Sequence, residues 1–228
     1  MTAAATFEQV ADNIARIRQT VPPTVRIVAV TKKLPSAAIR AAYNAGLRDF
    51  GESQVQEALT KQRELQDLAD ITWHMIGHLQ TNKAKQVLEH FHWIHAVDSL
   101  RLAQKLNQLA ADRGQLLQCC LQVKMVPDPP KYGFELEELW SALPHLDDCH
   151  HLSWAGLMTI PPLHTPAPET EGIFCQARAL ADQINRAGFA HLNLQQLSMG
   201  MSSDYPYAIA AGATMIRLGT ILFGPRPS

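Results

Sequence analysis

Two rhythms of apolar residues run along this chain. From Phe7 to Thr20 the apolar side chains fall at Phe7, Val10, Ile14 and Ile17, the three-and-four spacing of one helical face. Val-Pro-Pro at 21–23 stops that helix. The spacing then changes. Ile27, Val28, Val30 and Thr31 crowd β-branched side chains into a short run that reads as a buried strand. Similar runs predict strands at Val25–Thr31, Leu47–Gly51, Thr72–Gly77, Trp93–Val97, Leu117–Lys124, His151–Thr159, Gln196–Met199 and Met215–Leu218. Helical patterns fill the intervals at Ser36–Ala45, Ser53–Leu68, Lys83–Glu89, Ser99–Arg113, Glu135–Leu143, Glu169–Ala187 and Tyr205–Ala211. Gly46, Gly114 and Gly188 stand where helices stop, and Asp98 with Ser99 offers an N-cap.

Strands that alternate with helices predict an α/β fold on a parallel sheet, open or closed. Continuous apolar runs such as Ile27–Val30 are what helices on the sheet's faces require. The Pro-rich pieces at 126–134 and 160–170 each follow a predicted strand and read as βα loops, so residues 1–228 are read as one domain. Twenty basic against twenty-one acidic residues leave no surface suited to nucleic acid. The opening residues carry no signal-peptide pattern, and no stretch approaches the roughly 18 apolar residues of a membrane span. A cytoplasmic location is expected. Cys119, Cys120, Cys149 and Cys175 form no Cys-x-x-Cys pair and are read as buried free thiols.

Chemistry gathers at the ends of the predicted strands. In a (β/α)8 barrel these ends converge on one face, where active sites sit. They carry Lys32 and Lys33, Glu52 and Ser53, His78 and Gln80, Asp98, Lys124, Met158 and Thr159, Ser-Met-Gly-Met-Ser-Ser-Asp at 198–204, and Arg217, Gly219 and Thr220. The stretch 200–212 sets a glycine and two hydroxyls before a short helix, with Pro206 suited to its first turn. Arg-Leu-Gly-Thr at 217–220 adds a second glycine-and-hydroxyl turn from the neighbouring strand. Barrels build phosphate sites from these two loops.

Strand alternation separates the two lysines. Val28, Val30 and Lys32 share one face and Ala29, Thr31 and Lys33 the other. If the first face lines the barrel, Lys32 reaches the mouth and Lys33 tilts toward solvent. A lysine in a pocket loses its proton more readily and attacks carbonyls to form imines. A phosphate cradle opposite such a lysine suits pyridoxal phosphate, and equally a sugar-phosphate aldolase. These residues leave the choice between cofactor and substrate open.

Val-Ala-Val-Thr-Lys (28–32), Phe-Gly-Glu-Ser-Gln-Val-Gln-Glu-Ala (50–58), Trp-His-Met-Ile-Gly-His-Leu-Gln-Thr-Asn-Lys (73–83), Ala-Val-Asp-Ser (96–99), Gly-Leu-Met-Thr-Ile (156–160), Leu-Ser-Met-Gly-Met-Ser-Ser-Asp (197–204) and Arg-Leu-Gly-Thr-Ile-Leu-Phe-Gly (217–224) follow one another in order. Together they resemble the pyridoxal phosphate homeostasis proteins over nearly the whole chain. The resemblance implies a modified (β/α)8 TIM barrel with an extra N-terminal helix, the fold type III arrangement of the alanine racemase N-terminal domain. It implies pyridoxal phosphate held as an imine on Lys32, its phosphate on Ser202, Ser203, Gly219 and Thr220, Arg217 facing the pyridine nitrogen, and Met158 close by. Ser53 stands where the family usually has asparagine, and is left out of the site. His78 stands where proline is frequent, which alters that turn.

An arginine beside the pyridine nitrogen only donates, so it favours an unprotonated ring and weakens the electron sink. The tyrosine base that alanine racemase draws from a second domain has no counterpart before Ser228. The expectation is a monomeric carrier or buffer of pyridoxal phosphate without turnover, delivering to apo-enzymes that depend on it. A fold type III racemase or decarboxylase is the alternative, and a Schiff-base aldolase the third reading. His90, His92 and His95 cross a helix-to-strand boundary without a cysteine or carboxylate nearby and are not read as metal ligands. Lys131 is placed either to reach a phosphate or to solvate its loop. Trp140, with Leu136, Leu139 and Leu143, reads as helix core or rim.

Overall fold

The computed structural model describes residues 6–113 and 116–225. Gly114, expected to end a helix, lies outside them. The order is α1 (Phe7–Thr20), β1 (Arg26–Val30), α2 (Ser36–Asn44), β2 (Asp49–Glu52), α3 (Val55–Glu64), β3 (Thr72–Met75), α4 (Ala84–His90), β4 (Trp93–Val97) and α5 (Leu100–Ala111). It continues with β5 (Leu117–Gln122), α6 (Leu136–Asp147), β6 (Leu152–Met158), α7 (Ala167–Arg186), β7 (Leu192–Ser198), α8 (Tyr205–Ala210), β8 (Met215–Leu218) and α9 (Thr220–Phe223). All eight strands are parallel, and β8 pairs with β1 at Arg26↔Met215 through Ala29↔Leu218, so the sheet closes into a barrel. α1 precedes the first strand, as the extra helix was expected to.

The local signals act through identifiable atoms. Thr6 caps α1 by accepting from the Gln9 N–H, while Gln9 reaches back to the Thr6 N–H. Ser99 caps α5 by accepting from the Leu102 N–H. On α7 the buried side chains Ile173, Phe174, Ala177, Leu180, Ala181 and Ile184 form the stripe against the barrel. Cys119, Cys120 and Cys149 are buried, but Cys175 is exposed, contrary to expectation, because it falls off that stripe. Leu139 and Leu143 are core, and Trp140 and Leu136 lie on the rim.

Three boundaries moved by four residues, and the others by two or fewer. β7 begins at Leu192, four residues earlier than the pattern indicated, because Leu192 and Leu194 are buried while Asn193 and Gln195 are exposed and dilute the run. α3 stops at Glu64, since Asp67 and Asp70 in the following turns hold Arg40, Tyr43 and Arg48. α6 continues past Pro144 to Asp147, because a proline in the last turn costs little further ladder. Inside the barrel, Ala96, Cys120, Met158 and Met215 form a compact apolar layer distinct from the larger core between sheet and helices.

Candidate functional site

The mouth of the barrel starts where β1 ends. Thr31 is buried, and its hydroxyl donates to Glu52 Oε1 at 2.6 Å. From α3, Lys61 Nζ donates to the Thr31 carbonyl at 2.7 Å, to Glu52 Oε1 at 2.7 Å and to Glu57 Oε1 at 2.6 Å. A buried ion pair thus clamps the strand tip from the helix side. Lys33 turns away: it is exposed, its φ is 62°, and its backbone N–H donates to Glu57 Oε1 at 2.5 Å. Lys32 instead is half-buried and lines a cavity of about 600 Å3 at the mouth. The volume lies in the range of small-molecule pockets. The two adjacent lysines do part as expected, but not by strand alternation: β1 ends at Val30, and both lie in the turn that follows, where the left-handed backbone of Lys33 directs it away.

The opposite wall comes from the turns after β7 and β8, contributing Met201, Ser202, Ser203, Gly219, Thr220 and Ile221. Gly200 makes this possible. Its φ is 92°, and a Cβ there would come 2.6 Å from Ala208 Cβ. Its carbonyl accepts from the Arg217 N–H at 2.9 Å, which docks the first turn onto β8. The N–H groups of Gly219 and Ile221 both point at Ser202 Oγ, each at 3.3 Å. Those bonds are long for N–H···O. Two converging donors, with the Ser203 and Thr220 hydroxyls beside them, can exchange a serine oxygen for the oxygens of an anion. Asp204 occupies the N-cap position of α8, but its side chain makes no capping bond there. Its carboxylate accepts from the Met201 N–H at 2.5 Å and braces the same turn.

Arg217 joins the two walls from below. It is 4% exposed, and its guanidinium also lines the cavity. Nη1 donates to the Ser198 carbonyl at 2.5 Å and to Ser198 Oγ at 2.7 Å, and Nη2 donates to the Thr159 carbonyl at 3.1 Å. Burial pushes this guanidinium down to about 10, so it stays charged at neutral pH. Three of its five N–H groups are thereby engaged in the barrel. Met158 lies deeper, 1% exposed in the apolar layer, and Ile160 of the cavity wall packs against that layer.

Of the remaining strand-end groups, His78 Nδ1 meets Asp98 Oδ2 at 2.6 Å and stacks on Tyr132, with ring centroids 3.6 Å apart. Lys131 Nζ donates to the Pro161 carbonyl at 2.6 Å and pairs with Asp128 at 3.0 Å, tying two loops together at the rim. Neither lines the Lys32 cavity. His92 Nδ1 accepts from the Trp73 N–H at 2.9 Å, and His95 is buried between His74 and Ser198.

Residues 6–227 match the family described as the alanine racemase N-terminal domain. The chain is 51% identical over 212 residues to the pyridoxal phosphate homeostasis protein of Synechocystis sp., covering 93% of this chain and 96% of that protein. It belongs to the pyridoxal phosphate homeostasis protein family. Among solved structures, PipY of Synechococcus elongatus with PLP bound superposes with a TM-score of 0.90 at 49% identity, over 94% of this chain and 100% of that one. Alanine racemase of Clostridium difficile gives a TM-score of 0.75 at 17% identity, over 97% of this chain and 57% of that one, which reports a shared fold.

Two associations in this family member were not read from the sequence. One is that of Lys61, which lies i,i+4 from Glu57, a spacing common to surface pairs on helices. The other is the set Asp49, His74, His95 and Ser198 behind Arg217. A single histidine in the middle of each of two short apolar strands was the available signal.

Proposed function

We propose that this protein binds pyridoxal 5'-phosphate in the Lys32 cavity and serves intracellular homeostasis of that cofactor as a carrier or buffer, with little or no turnover. The observation that carries this is one cavity bounded by a half-buried amine at the tip of β1 and, across it, converging N–H and hydroxyl donors from the turns after β7 and β8. When bound, the cofactor supplies an aldehyde that condenses with a lysine amine and a phosphate that binds tightly to fixed N–H donors.

Each of the chain's own groups has a part. Lys32 offers the amine, and the Thr31–Glu52–Lys61 clamp fixes the backbone that presents it. Gly219, Thr220, Ser202 and Ser203 receive the phosphate oxygens, with Gly200 holding their turn in place. Arg217, a donor with no acceptor capacity, keeps a proton off the ring nitrogen. Met158 supports the floor. Among the described residues lining the cavity, Lys32 is the one side chain that can serve as a base, and none of the others would supply a second one to a bound cofactor. That arrangement supports retention over turnover, and favours it over the alternative of a fold type III racemase or decarboxylase.

Four free thiols, one of them exposed, support a reducing, cytoplasmic setting. No helix among the described residues is long and apolar enough to cross a membrane. The exposed large apolar residues Phe7, Leu116, Leu163 and Tyr207 are spread along the chain, and only Leu136 and Trp140 share a helix, which supports a monomer. PLP-dependent apo-enzymes are the natural recipients of a cofactor held this way.

The test is direct. Protein incubated with pyridoxal phosphate gains a visible absorption band, and borohydride then adds the reduced cofactor's mass to the peptide containing Lys32. Lys32→Ala gains neither. Wild-type protein that stays colourless and unlabelled, or steady amino-acid racemisation at ordinary enzyme rates, refutes the proposal.

A further inference from the structure

The interior of the barrel holds an unbroken polar chain from its N-terminal end to the cavity. Asp49, the first residue of β2, has Oδ1 2.9 Å from His74 Nε2. His74 Nδ1 lies 2.8 Å from His95 Nε2, and His95 Nδ1 lies 2.7 Å from Ser198 Oγ. Ser198 Oγ accepts from Arg217 Nη1 at 2.7 Å. His74, His95 and Ser198 are fully buried. The far end is closed by Arg26, 3.6 Å from Asp49 and lying over the Trp93 ring, which stacks on His74.

Burial disfavours the charged forms of both imidazoles, and with both neutral one arrangement of protons satisfies every link. The Asp49 carboxylate only accepts, so His74 donates to it from Nε2–H and leaves its own Nδ1 bare. That nitrogen accepts from His95 Nε2–H, which leaves His95 Nδ1 bare to accept the Ser198 O–H. Ser198 Oγ in turn accepts from Arg217 Nη1, and both imidazoles carry the proton on Nε2. Linked bonds running one way from a cation to an anion polarise one another.

We infer that Asp49, acting through His74, His95 and Ser198, is a positioning residue that fixes the guanidinium of Arg217 from the opposite end of the barrel. A terminal carboxylate holds His74 in one tautomer, that tautomer dictates His95, and His95 orients the Ser198 hydroxyl so that its lone pair meets Nη1. Residues at the N-terminal face of such barrels ordinarily serve stability. Here one of them also sets which N–H groups of Arg217 remain for the cavity. The relevance to the bound cofactor rests on the function proposed above; the chain itself is tested without cofactor.

The experiment uses nitrogen-15-labelled full-length protein free of cofactor. Long-range proton–nitrogen correlations report the tautomer of each imidazole, and the Arg217 Nη protons report whether the guanidinium is held or rotating. The expected result is a single neutral Nε2–H form at both His74 and His95 and separately resolved Arg217 Nη protons. Asp49→Leu should lose the fixed tautomers and average the Nη signals. Asp49→Asn, whose amide oxygen still accepts from His74, should keep both. A protonated Nδ1 on His95 in the wild type overturns the inference without any variant. So does an Asp49→Leu protein, folded by its amide spectrum, in which His95 and Arg217 are unchanged. Absence of a visible band on adding pyridoxal phosphate to the wild type would count against the proposed function alone.

Discussion

Lys61 Nζ sits 2.7 Å from Glu52 Oε1, with side chains 7% and 0% exposed, and the same ammonium holds the carbonyl of Thr31. An ion pair with so little water around it has value only while both partners are present. Lys61→Met leaves a buried carboxylate whose own Oε2 already lacks a partner. Such a loss costs about 3–5 kcal/mol. Urea unfolding should show that drop, and Lys61→Met combined with Glu52→Leu should recover most of it. A single variant as stable as wild type would mean that the pair does not clamp the strand.

Acid should destabilise the fold through the barrel histidines. Burial pushes the imidazoles of His74 and His95 below the ordinary 6.5. Below pH 6.5 the unfolded chain therefore binds protons that the folded chain refuses, and stability falls as pH drops toward the lowered values. In His95→Gln one such group is gone, so the slope of unfolding free energy against pH in that window should shrink by up to about 1.4 kcal/mol per pH unit. Glu52 and Asp204, raised by burial, contribute with the opposite sign, but the substitution leaves them in place. Unfolding curves for the two proteins over a pH series decide the matter. Identical slopes would contradict a neutral, buried His95.

Gly200→Ala should damage both fold and site. The backbone there has φ 92°, and the added methyl meets Ala208. The strain amounts to about 1–3 kcal/mol. Because the Gly200 carbonyl accepts from the Arg217 N–H, the turn carrying Ser202 and Ser203 shifts too. The expected result is a lower urea midpoint together with weaker binding of inorganic phosphate by calorimetry. Gly188→Ala, at φ 83° with open space around it, should cost stability without touching phosphate binding.

The neighbouring lysines provide a contrast. Lys33 occupies the left-handed region, where a side chain costs about 1–2 kcal/mol that glycine avoids. Lys33→Gly should leave borohydride trapping intact and change stability by no more than about 1 kcal/mol, gain and loss of chain entropy partly cancelling. Loss of trapping in this variant would reassign the reactive amine.

Much of this was legible in the residues themselves. A parallel sheet covered by helices follows from eight apolar runs spaced by helical patterns, while its closure into a barrel came from the family resemblance. The parting of Lys32 from Lys33 was expected from the two-residue period of a strand but is made by a turn with Lys33 at φ 62°. Gly200, Ser202 and Gly219 announce turns through local chemistry alone. What stayed hidden depends on which strands become neighbours across the interior. His95 and Ser198 are 103 positions apart, and nothing near either residue signals the other. Likewise Lys61 reads as half of an exposed helical pair with Glu57 until Glu52 is brought beneath it by the β2 pairing. β7 was misjudged at its start for a related reason: Asn193 and Gln195 interrupt its apolar run, and the pairing of Leu192 with Trp154 extends it regardless.

The pairing of β1 with β8 has a consequence for synthesis. The amine at Lys32 emerges from the ribosome well before the turns at Ser202–Thr220 that are proposed to hold the anion, so the pocket comes into being only when the ring shuts. A nascent chain that stops short of Met215 has a lysine and no grip. Ligand that binds the closed ring alone also pulls the equilibrium toward closure, making retention of the ligand a report on completed folding.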